Sequence, residues 1–177
     1  GDILATDLKH RDLWGPAVDQ LLAQENVHYN SGTQQFVTDE LFWALTDNLN
    51  TVRDLVSYNG SATSLASHRV FDAFGNKKYE TDAVDCVFNY TGKLLDDDTG
   101  LQNNLNRWYE PATGKWLSKD PIGFEGRDVN LYRYVLNIAT NAIDSNGNRT
   151  CTRAKPLSIY WLPFGQYVAT AGGWGVD

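Results

Sequence analysis

The run Thr51-Val52-Arg53-Asp54-Leu55-Val56-Ser57-Tyr58, followed directly by Asn59-Gly60, decides the fold class of this chain. The run is rich in branched and aromatic residues, which favour strands. Asn-Gly is typical of a hairpin turn because both residues accept positive φ. Residues 64–71 form a second strand-like run, so the sequence predicts an antiparallel hairpin here.

The same alternation of short strands and turns extends in both directions from this hairpin. Residues 41–45 end in an Asp-Asn-Leu-Asn turn, and residues 72–76 form a turn before the strand-like run 77–81. Further along, residues 101–109 are predicted to form one long strand whose two faces are both partly polar, as in a wall that lines a wet interior. Only residues 130–142 look helical, in a short and interrupted way.

The composition supports a mainly β protein. The 177 residues include 17 Asp, 15 Asn and 15 Gly but only 5 Glu. Asp, Asn and Gly favour turns, whereas Glu favours helix surfaces. A helical bundle is therefore excluded, and the predicted fold is an antiparallel hairpin meander.

The charge and the cysteines limit the classes of partner. The net charge of −7 argues against nucleic acid as a partner, because a protein that binds phosphates needs a basic face. The uncharged run 156–176 contains Pro163 and the Gly172-Gly173 pair, so it makes a poor membrane span. Cys86 and Cys151 are interpreted either as two independent thiols or as one bridge in an oxidising compartment.

No cofactor is predicted. The sequence has no glycine-rich phosphate loop and no nucleophile elbow. Its three histidines are scattered, with no ligand spacing for a metal. The acidic run Asp96-Asp97-Asp98 lacks the alternating oxygen ligands of a calcium loop, and a solvated turn is the favoured interpretation.

Several strings, in order along the chain, match one repeat family. They are Thr46–Asp54, Phe71-Asp72-Ala73-Phe74-Gly75, Tyr90-Thr91-Gly92, Asp98–Leu101, Arg107-Trp108-Tyr109-Glu110-Pro111, Gly114–Gly123 and Asn130–Tyr134. Together they resemble the RHS (rearrangement hot spot) repeat-associated core domain of YD-repeat proteins, over roughly residues 12–147.

The resemblance implies a fold and a domain organisation. In this family, YD repeats wind a long sheet into a hollow β-shell, and the core closes one end as a small, irregular or short-helical plug. On this chain, the resemblance assigns residues 1–90 to YD-repeat-like hairpins, 91–148 to the core and 149–177 to a variable C-terminal tail. We interpret the chain as a portion of a longer polypeptide, whose upstream repeats are its first partner.

The resemblance also implies a function. Bacterial shells of the toxin-delivery type enclose a C-terminal polypeptide, and related eukaryotic proteins use the shell extracellularly for adhesion. We therefore expect a secreted or cell-surface protein that encapsulates or displays a C-terminal segment, with no small-molecule substrate. The alternative hypothesis is a carbohydrate-binding or cell-adhesion module, in which Trp14, Trp43 and Tyr58 stack on cell-surface sugars.

Asp120 and Asp144 are the candidate catalytic residues, carried over from the family. Toxin-carrying members cut themselves just after the core with the aspartates of two Asp-Pro-x-Gly motifs. The first motif is intact here as Asp120-Pro121-Ile122-Gly123. The second reads Asp144-Ser145-Asn146-Gly147, without the proline, and Asn148 stands where the family has an apolar residue.

Two interpretations of this pair remain open. In the first, the aspartates are ordinary turn-formers. In the second, they are a working or vestigial acid pair, since two close carboxylates share a proton and divide the roles of acid and base. Arg107 or Arg133 would then hold one carboxylate ionised. The predicted enzyme is at most a degenerate aspartic autoprotease, and we expect the chain to remain intact.

Overall fold

The computed structural model describes residues 4–81, 84, 86–148, 152–153, 158–162 and 166–170, the last three ranges by their backbone. The chain forms two compact units. The first comprises Gly1–Asp72 and Lys77–Lys93, and the second comprises Ala73–Asn76 and Leu94–Asp177.

The first unit is one antiparallel sheet of six strands in sequence order. The strands are β1 (His10–Trp14), β2 (Leu21–Asn30), β3 (Gln35–Thr46), β4 (Val52–Tyr58), β5 (Thr63–Phe71) and β6 (Lys77–Thr81). The hairpin predicted at Asn59-Gly60 joins β4 to β5, with Gly60 at φ +92°. The run predicted at residues 77–81 matches β6, and short 3₁₀ turns lie at Ala5–Asp7 and Tyr90–Gly92.

One face of this sheet carries the apolar core. Leu21, Phe42, Val52 and Leu55 are almost fully buried and pack with Cys86 from the segment that follows β6. Residues on the opposite face, such as Trp43 and Leu65, remain about half exposed. The sheet therefore has the one-sided burial that is common in antiparallel sheets.

Two buried cations fix the chain after β6 to this unit. Arg69 is 2% exposed and bonds Glu80 at 2.6 Å as well as the Phe88 carbonyl at 3.2 Å. Lys93 lies 2.7 Å from Asp19, and burial raises the pKa of that carboxyl although Lys93 opposes the shift. The Arg69 bond to Phe88 spans 19 residues, and the Lys93 pair with Asp19 joins the end of the unit to the loop before β2.

The second unit has strands of two to five residues. They are β7 (Leu94–Asp96), β8 (Leu101–Asn103), β9 (Trp108–Glu110), β10 (Lys115–Trp116), β11 (Ala142–Ile143), β12 (Thr152–Arg153), β13 (Ser158–Leu162) and β14 (Gln166–Thr170). β7 to β10 form an antiparallel meander, while β11–β12 and β13–β14 are separate pairs. The predicted helical region is reduced to a 3₁₀ turn at Val135–Asn137, and another 3₁₀ turn lies at Gly123–Gly126.

The single strand predicted over residues 101–109 is wrong. β8 ends at Asn103, β9 begins at Trp108, and the four residues between them form a loop. Asn103 accepts a hydrogen bond from the Leu105 amide at 2.8 Å, and Leu105 has a φ of +66°. Asparagine side chains that bond nearby backbone compete with the ladder, which explains why the strand is interrupted.

The core of this meander is aromatic. Tyr109, Trp116 and Tyr134 are at most 2% exposed, and their ring centroids lie 4.2–5.6 Å apart. The Tyr109 hydroxyl donates to the Phe74 carbonyl at 2.7 Å. Among the described residues, no helix is long and apolar enough to cross a membrane.

Candidate functional site

The two candidate aspartates each form a turn with one carboxylate oxygen. Asp120 Oδ1 accepts the Ile122 amide at 3.0 Å, and Asp144 Oδ1 accepts the Gly147 amide at 2.9 Å. The main chain of Asp120 is also anchored, because its amide donates to the Leu131 carbonyl at 2.9 Å. Turn formation therefore occupies one oxygen of each carboxylate and leaves the other for a second partner.

That second partner is the same nitrogen for both aspartates. Arg107 Nη2 lies 3.1 Å from Asp120 Oδ2 and 3.2 Å from Asp144 Oδ2. The Arg107 side chain is 2% exposed, Asp144 is 5% exposed and Asp120 is 16% exposed. One buried guanidinium thus brings together two carboxylates that are 24 residues apart in the sequence.

The Arg107 guanidinium is held in a fixed plane. It stacks over the buried Trp116 ring, with the guanidinium carbon 4.1 Å from the ring centroid. Its Nη1 donates to the Leu131 carbonyl at 3.5 Å, and its Nε donates to the Gly147 carbonyl. Arg107 therefore contacts both carboxylates and also the carbonyl that precedes Asn148.

Arg133 has a different carboxylate partner. Its Nε donates to Asp128 Oδ2 at 2.7 Å. This hydrogen bond lowers the pKa of Asp128 and raises the pKa of Arg133. The two arginines that the sequence left as equal candidates are thus distinguished, and Arg107 is the one at the acid pair.

Three residues of this site were not predicted from the sequence. Asn104, 1% exposed, donates through its side chain to the Asp144 carbonyl at 2.8 Å, and Gln102 fixes it through a 2.8 Å bond to its Oδ1. Trp116 carries the stacked guanidinium. The available sequence clue was the Gln102-Asn103-Asn104 run, because amide residues are unusual in a strand interior.

The glycine at position 147 is required by close packing. Its φ is +69°, and a Cβ added there would lie 2.6 Å from the Asn104 carbonyl oxygen and 3.0 Å from the Arg107 nitrogen. Both contacts are with backbone, which cannot move aside as a flexible side chain would. The turn that ends at Gly147 therefore lies directly against the loop that carries Arg107.

The other sequence candidates do not join this site. His28 and His68 pair with aspartates on the six-stranded sheet, at 2.7 Å from Asp39 and 2.6 Å from Asp54. Within the described part of the chain, no three His, Cys, Asp or Glu side chains group as metal ligands. Asp96 caps its own turn, accepting the amides of Asp98 and Thr99 at 3.0 and 3.2 Å.

The cysteines and the aromatics of the alternative hypothesis also lie apart from the acid pair. Cys86 is a buried free thiol whose pKa burial raises, and Cys151 lies outside the described residues. Trp14 and Trp43 are each 43% exposed and Tyr58 is 59% exposed. Trp14 packs edge-on against Phe88, with the ring centroids 4.8 Å apart.

The six-stranded hairpin meander, followed along the chain by a segment of short strands and turns, is the architecture of a β-repeat protein. A family model described as the teneurin YD-shell matches residues 32–139, more than half of the chain. The chain belongs to this family of RHS/YD-repeat proteins, as its sequence motifs predicted.

Several bacterial proteins are similar over part of the chain. The probable deoxyribonuclease RhsB of Dickeya dadantii is 32% identical over 58% of this chain and 6% of its own length. The tRNA nuclease WapA of Bacillus subtilis is 33% identical over 56% of this chain and 4% of its own length. Toxin protein Tse5 of Pseudomonas aeruginosa is 40% identical over 33% of this chain and 4% of its own length.

These alignments cover little of the relatives themselves. The chain spans between 4% and 39% of the first curated relatives that it matches. A crystal structure of TcdB2-TccC3 without its hypervariable C-terminal region matches 78% of this chain and 6% of that chain, with a TM-score of 0.64 and 22% identity. The match confirms the predicted fold, that of an RHS β-shell.

Proposed function

We propose that this chain is the C-terminal end of an RHS shell of the toxin-delivery type, and that Asp120 and Asp144 cut the chain after Gly147. In this proposal residues 1–90 belong to the wall of the shell, residues 91–148 form its plug, and residues 149–177 begin the enclosed polypeptide. The upstream repeats of the same polypeptide and the enclosed segment are its partners. We place the full-length protein outside the cytoplasm, secreted or at the cell surface.

The names of the relatives support a toxin-delivery role over adhesion. A deoxyribonuclease, a tRNA nuclease and a toxin share this region although their names describe different activities. A region shared among proteins with different activities suits a common delivery or enclosure device. None of these names indicates binding to carbohydrate, so the alternative hypothesis gains no support from them.

The single observation that carries the self-cleavage proposal is the position of Arg107. Its Nη2 contacts both carboxylates, and its Nε donates to the Gly147 carbonyl oxygen. A positive donor at that oxygen stabilises the negative charge that develops there when a nucleophile adds to the carbonyl carbon. Burial strengthens the effect, because less water competes for the same oxygen.

The reaction requires water and no cofactor. A water molecule adds to the Gly147 carbonyl carbon while Asp120, the more exposed of the two carboxylates, accepts its proton. The carbonyl electron pair moves to the oxygen that Arg107 holds. The bond to the Asn148 nitrogen then breaks as that nitrogen receives the proton. The products are a Gly147 carboxylate and a new amino terminus at Asn148.

Asp144 orients the bond that is cut. Its Oδ1 holds the Gly147 amide at 2.9 Å, and its main-chain carbonyl is held by Asn104. The proline that the second motif lacks would stand at Ser145, next to this anchored residue. Because Asp144, Gly147 and Arg107 keep their contacts without it, the site does not depend on that proline for its geometry.

Expression of the full-length protein and its Asp120→Asn and Asp144→Asn variants tests the proposal. The wild type should yield a C-terminal fragment that begins at Asn148, seen on a denaturing gel and identified by mass spectrometry. Both variants should remain intact: Asp120→Asn lacks the carboxylate that transfers the proton, and Asp144→Asn lacks the charged partner that helps to hold Arg107 against the Gly147 carbonyl. Asp128→Asn is the matched control, since Asp128 pairs with Arg133 outside the acid pair, and it should still be cleaved.

An intact wild-type chain would contradict self-cleavage and agree with the expectation drawn from Asn148 and the missing proline. Enclosure is tested separately. Limited proteolysis of the full-length protein should leave the C-terminal segment uncut until the shell is denatured. Rapid digestion of that segment in the folded protein would contradict enclosure whatever the gel shows.

A further inference from the structure

The loop 104–107 binds the main chain of residues 144–147, which we call the cleavage segment because it ends at the proposed scissile bond. Three residues of the loop 104–107 donate from their side chains to three carbonyls of residues 144–147. Asn104 donates to Asp144, Asn106 to Asn146 and Arg107 to Gly147. Each donor and its acceptor are separated by 40 residues, so the loop follows the segment step by step.

We propose that the loop 104–107 is the substrate-binding part of this site and that Asn106 is a positioning residue for the bond after Gly147. The proposal rests on the self-cleavage proposed above. In this proposal the loop recognises the main-chain carbonyls of residues 144–147 and not their side chains. The exception is position 147, where only glycine fits.

Asn106 holds the carbonyl one residue before the proposed scissile peptide. Its side-chain Nδ2 donates to the Asn146 carbonyl at 2.8 Å, and its main-chain amide donates to the same oxygen at 3.2 Å. Asn146 in turn accepts the Asn148 amide on its Oδ1 at 3.1 Å. Asn106 is thus connected through Asn146 to the nitrogen that leaves in the reaction.

The conformation of the loop brings its amide side chains to the segment. Leu105 lies between Asn104 and Asn106, has a φ of +66° and is 76% exposed. A left-handed leucine is uncommon, and such conformations concentrate at functional sites. The buried Gln102 bond to Asn104 fixes the start of the loop, and the stacked Arg107 fixes its end.

The contacts also explain which feature of the segment is recognised. Carbonyl oxygens are common to every residue type, so three donors to carbonyls place the chain without selecting its side chains. Selection enters at Gly147, where a Cβ would meet the Asn104 carbonyl oxygen at 2.6 Å. A small displacement of the reacting carbonyl is costly for catalysis, since productive geometry requires the reacting atoms to be aligned.

The test compares the same Asn-to-Asp substitution at two positions of the full-length protein, Asn106 in the loop 104–107 and Asn103 at the end of β8. Asn106→Asp replaces the donor with an isosteric carboxylate that faces the Asn146 carbonyl. Asn103→Asp adds the same charge three residues away, but Asn103 acts as an acceptor for the Leu105 amide, and a carboxylate keeps that role. Asn106→Ala removes the donor without adding charge.

We expect Asn106→Asp and Asn106→Ala to slow the first-order cleavage rate by tenfold or more at pH 7, and Asn103→Asp to cleave within twofold of the wild type. Thermal unfolding should be nearly unchanged, because Asn106 is exposed. The rate of Asn106→Asp relative to the wild type should recover towards pH 4, where the new carboxyl is protonated and donates again. A purely structural defect would not recover in this way.

The outcomes separate this proposal from the one on which it rests. An intact wild type overturns the self-cleavage proposal and the positioning role together. A cleaving wild type with an equally fast Asn106→Ala variant overturns the positioning role alone. Equal slowing by Asn103→Asp and Asn106→Asp would assign the effect to added charge, and would also overturn the role of Asn106.

Discussion

The six-stranded sheet of residues 10–81 and the core segment of residues 94–148 hold their chains in different ways. The sheet has strands of up to 12 residues, and its core is a cluster of apolar side chains on one face. In the core segment the longest strand has three residues. Side chains such as Arg107 and Asn104 bond its backbone there. The long strands form a continuous sheet, whereas the irregular chain of the core segment brings Arg107, Asp120 and Asp144 together.

This difference has an energetic consequence. A sheet loses stability mainly when apolar volume is removed from its core. A chain held by buried polar contacts loses stability when one partner is removed, because the other is left unpaired away from water. The two regions should therefore respond differently to substitutions of the same kind.

The largest effect is expected for Arg107→Ala. This change leaves Asp120 and Asp144 without their shared cation, and breaking a buried ion pair on one side costs about 3–5 kcal/mol. Arg53→Ala in the sheet is the matched control, because Arg53 also pairs with an aspartate, Asp47, but is 35% exposed. It should cost at most about 1 kcal/mol. Urea titrations followed by tryptophan fluorescence measure both; equal losses would contradict the comparison.

The site could be predicted from the sequence only in part. The motifs identified Asp120 and Asp144, and turn chemistry explains one oxygen of each. The sequence did not distinguish Arg107 from Arg133, because that choice depends on chain folding. Asp128 lies five residues before Arg133 and pairs with it inside one short stretch of chain, whereas Arg107 pairs with Asp144, which is 37 residues away.

The fold shows the same division between local and long-range information. The hairpin at Asn59-Gly60 was predicted because turn chemistry is local. The break between β8 and β9 has one local cause, the bond from the Leu105 amide to the Asn103 side chain, which the alternation of residues did not reveal. The loop is also held by Asn104, Asn106 and Arg107, which donate to carbonyls 40 residues away. Alternation of residues cannot indicate such partners, so a polar strand and a polar loop look alike in the sequence.

A second effect, of about 3 kcal/mol, is expected for Leu55→Ala. Leu55 is fully buried in the sheet core, and removal of buried methyl groups costs transfer free energy and leaves a cavity. Leu45→Ala is the matched control on the neighbouring strand, where the side chain is 50% exposed, and it should cost less than about 1 kcal/mol. Loss of the same free energy in both variants would show that the sheet does not depend on this one-sided core.

The smallest effect concerns the acid dependence of the two regions. Burial would raise the pKa of Glu80, but Lys77 and Arg69 outweigh it, so the pKa lies below its ordinary value. The folded sheet then binds fewer protons than the unfolded chain. Its stability from Glu80 is present above about pH 4.3, the unfolded value, and is lost as the pH falls through the lower folded value.

Glu80→Gln should therefore reduce stability at pH 7, by about 1 kcal/mol, and flatten its decline in acid, because glutamine loses the charge but keeps an acceptor oxygen for the buried Arg69. The Asp128→Asn variant sharpens the comparison, because Arg133 lowers the pKa of Asp128 in the core segment in the same direction. Asp128 is paired with one cation, Arg133, whereas Glu80 is paired with two, Lys77 and Arg69. The decline of stability in acid should therefore flatten less in Asp128→Asn than in Glu80→Gln. Urea titrations between pH 3 and pH 7 measure both slopes. A Glu80→Gln variant that declines as steeply as the wild type would show that the two cations do not hold this carboxylate ionised, and that the polar contacts of the sheet add little to its apolar core.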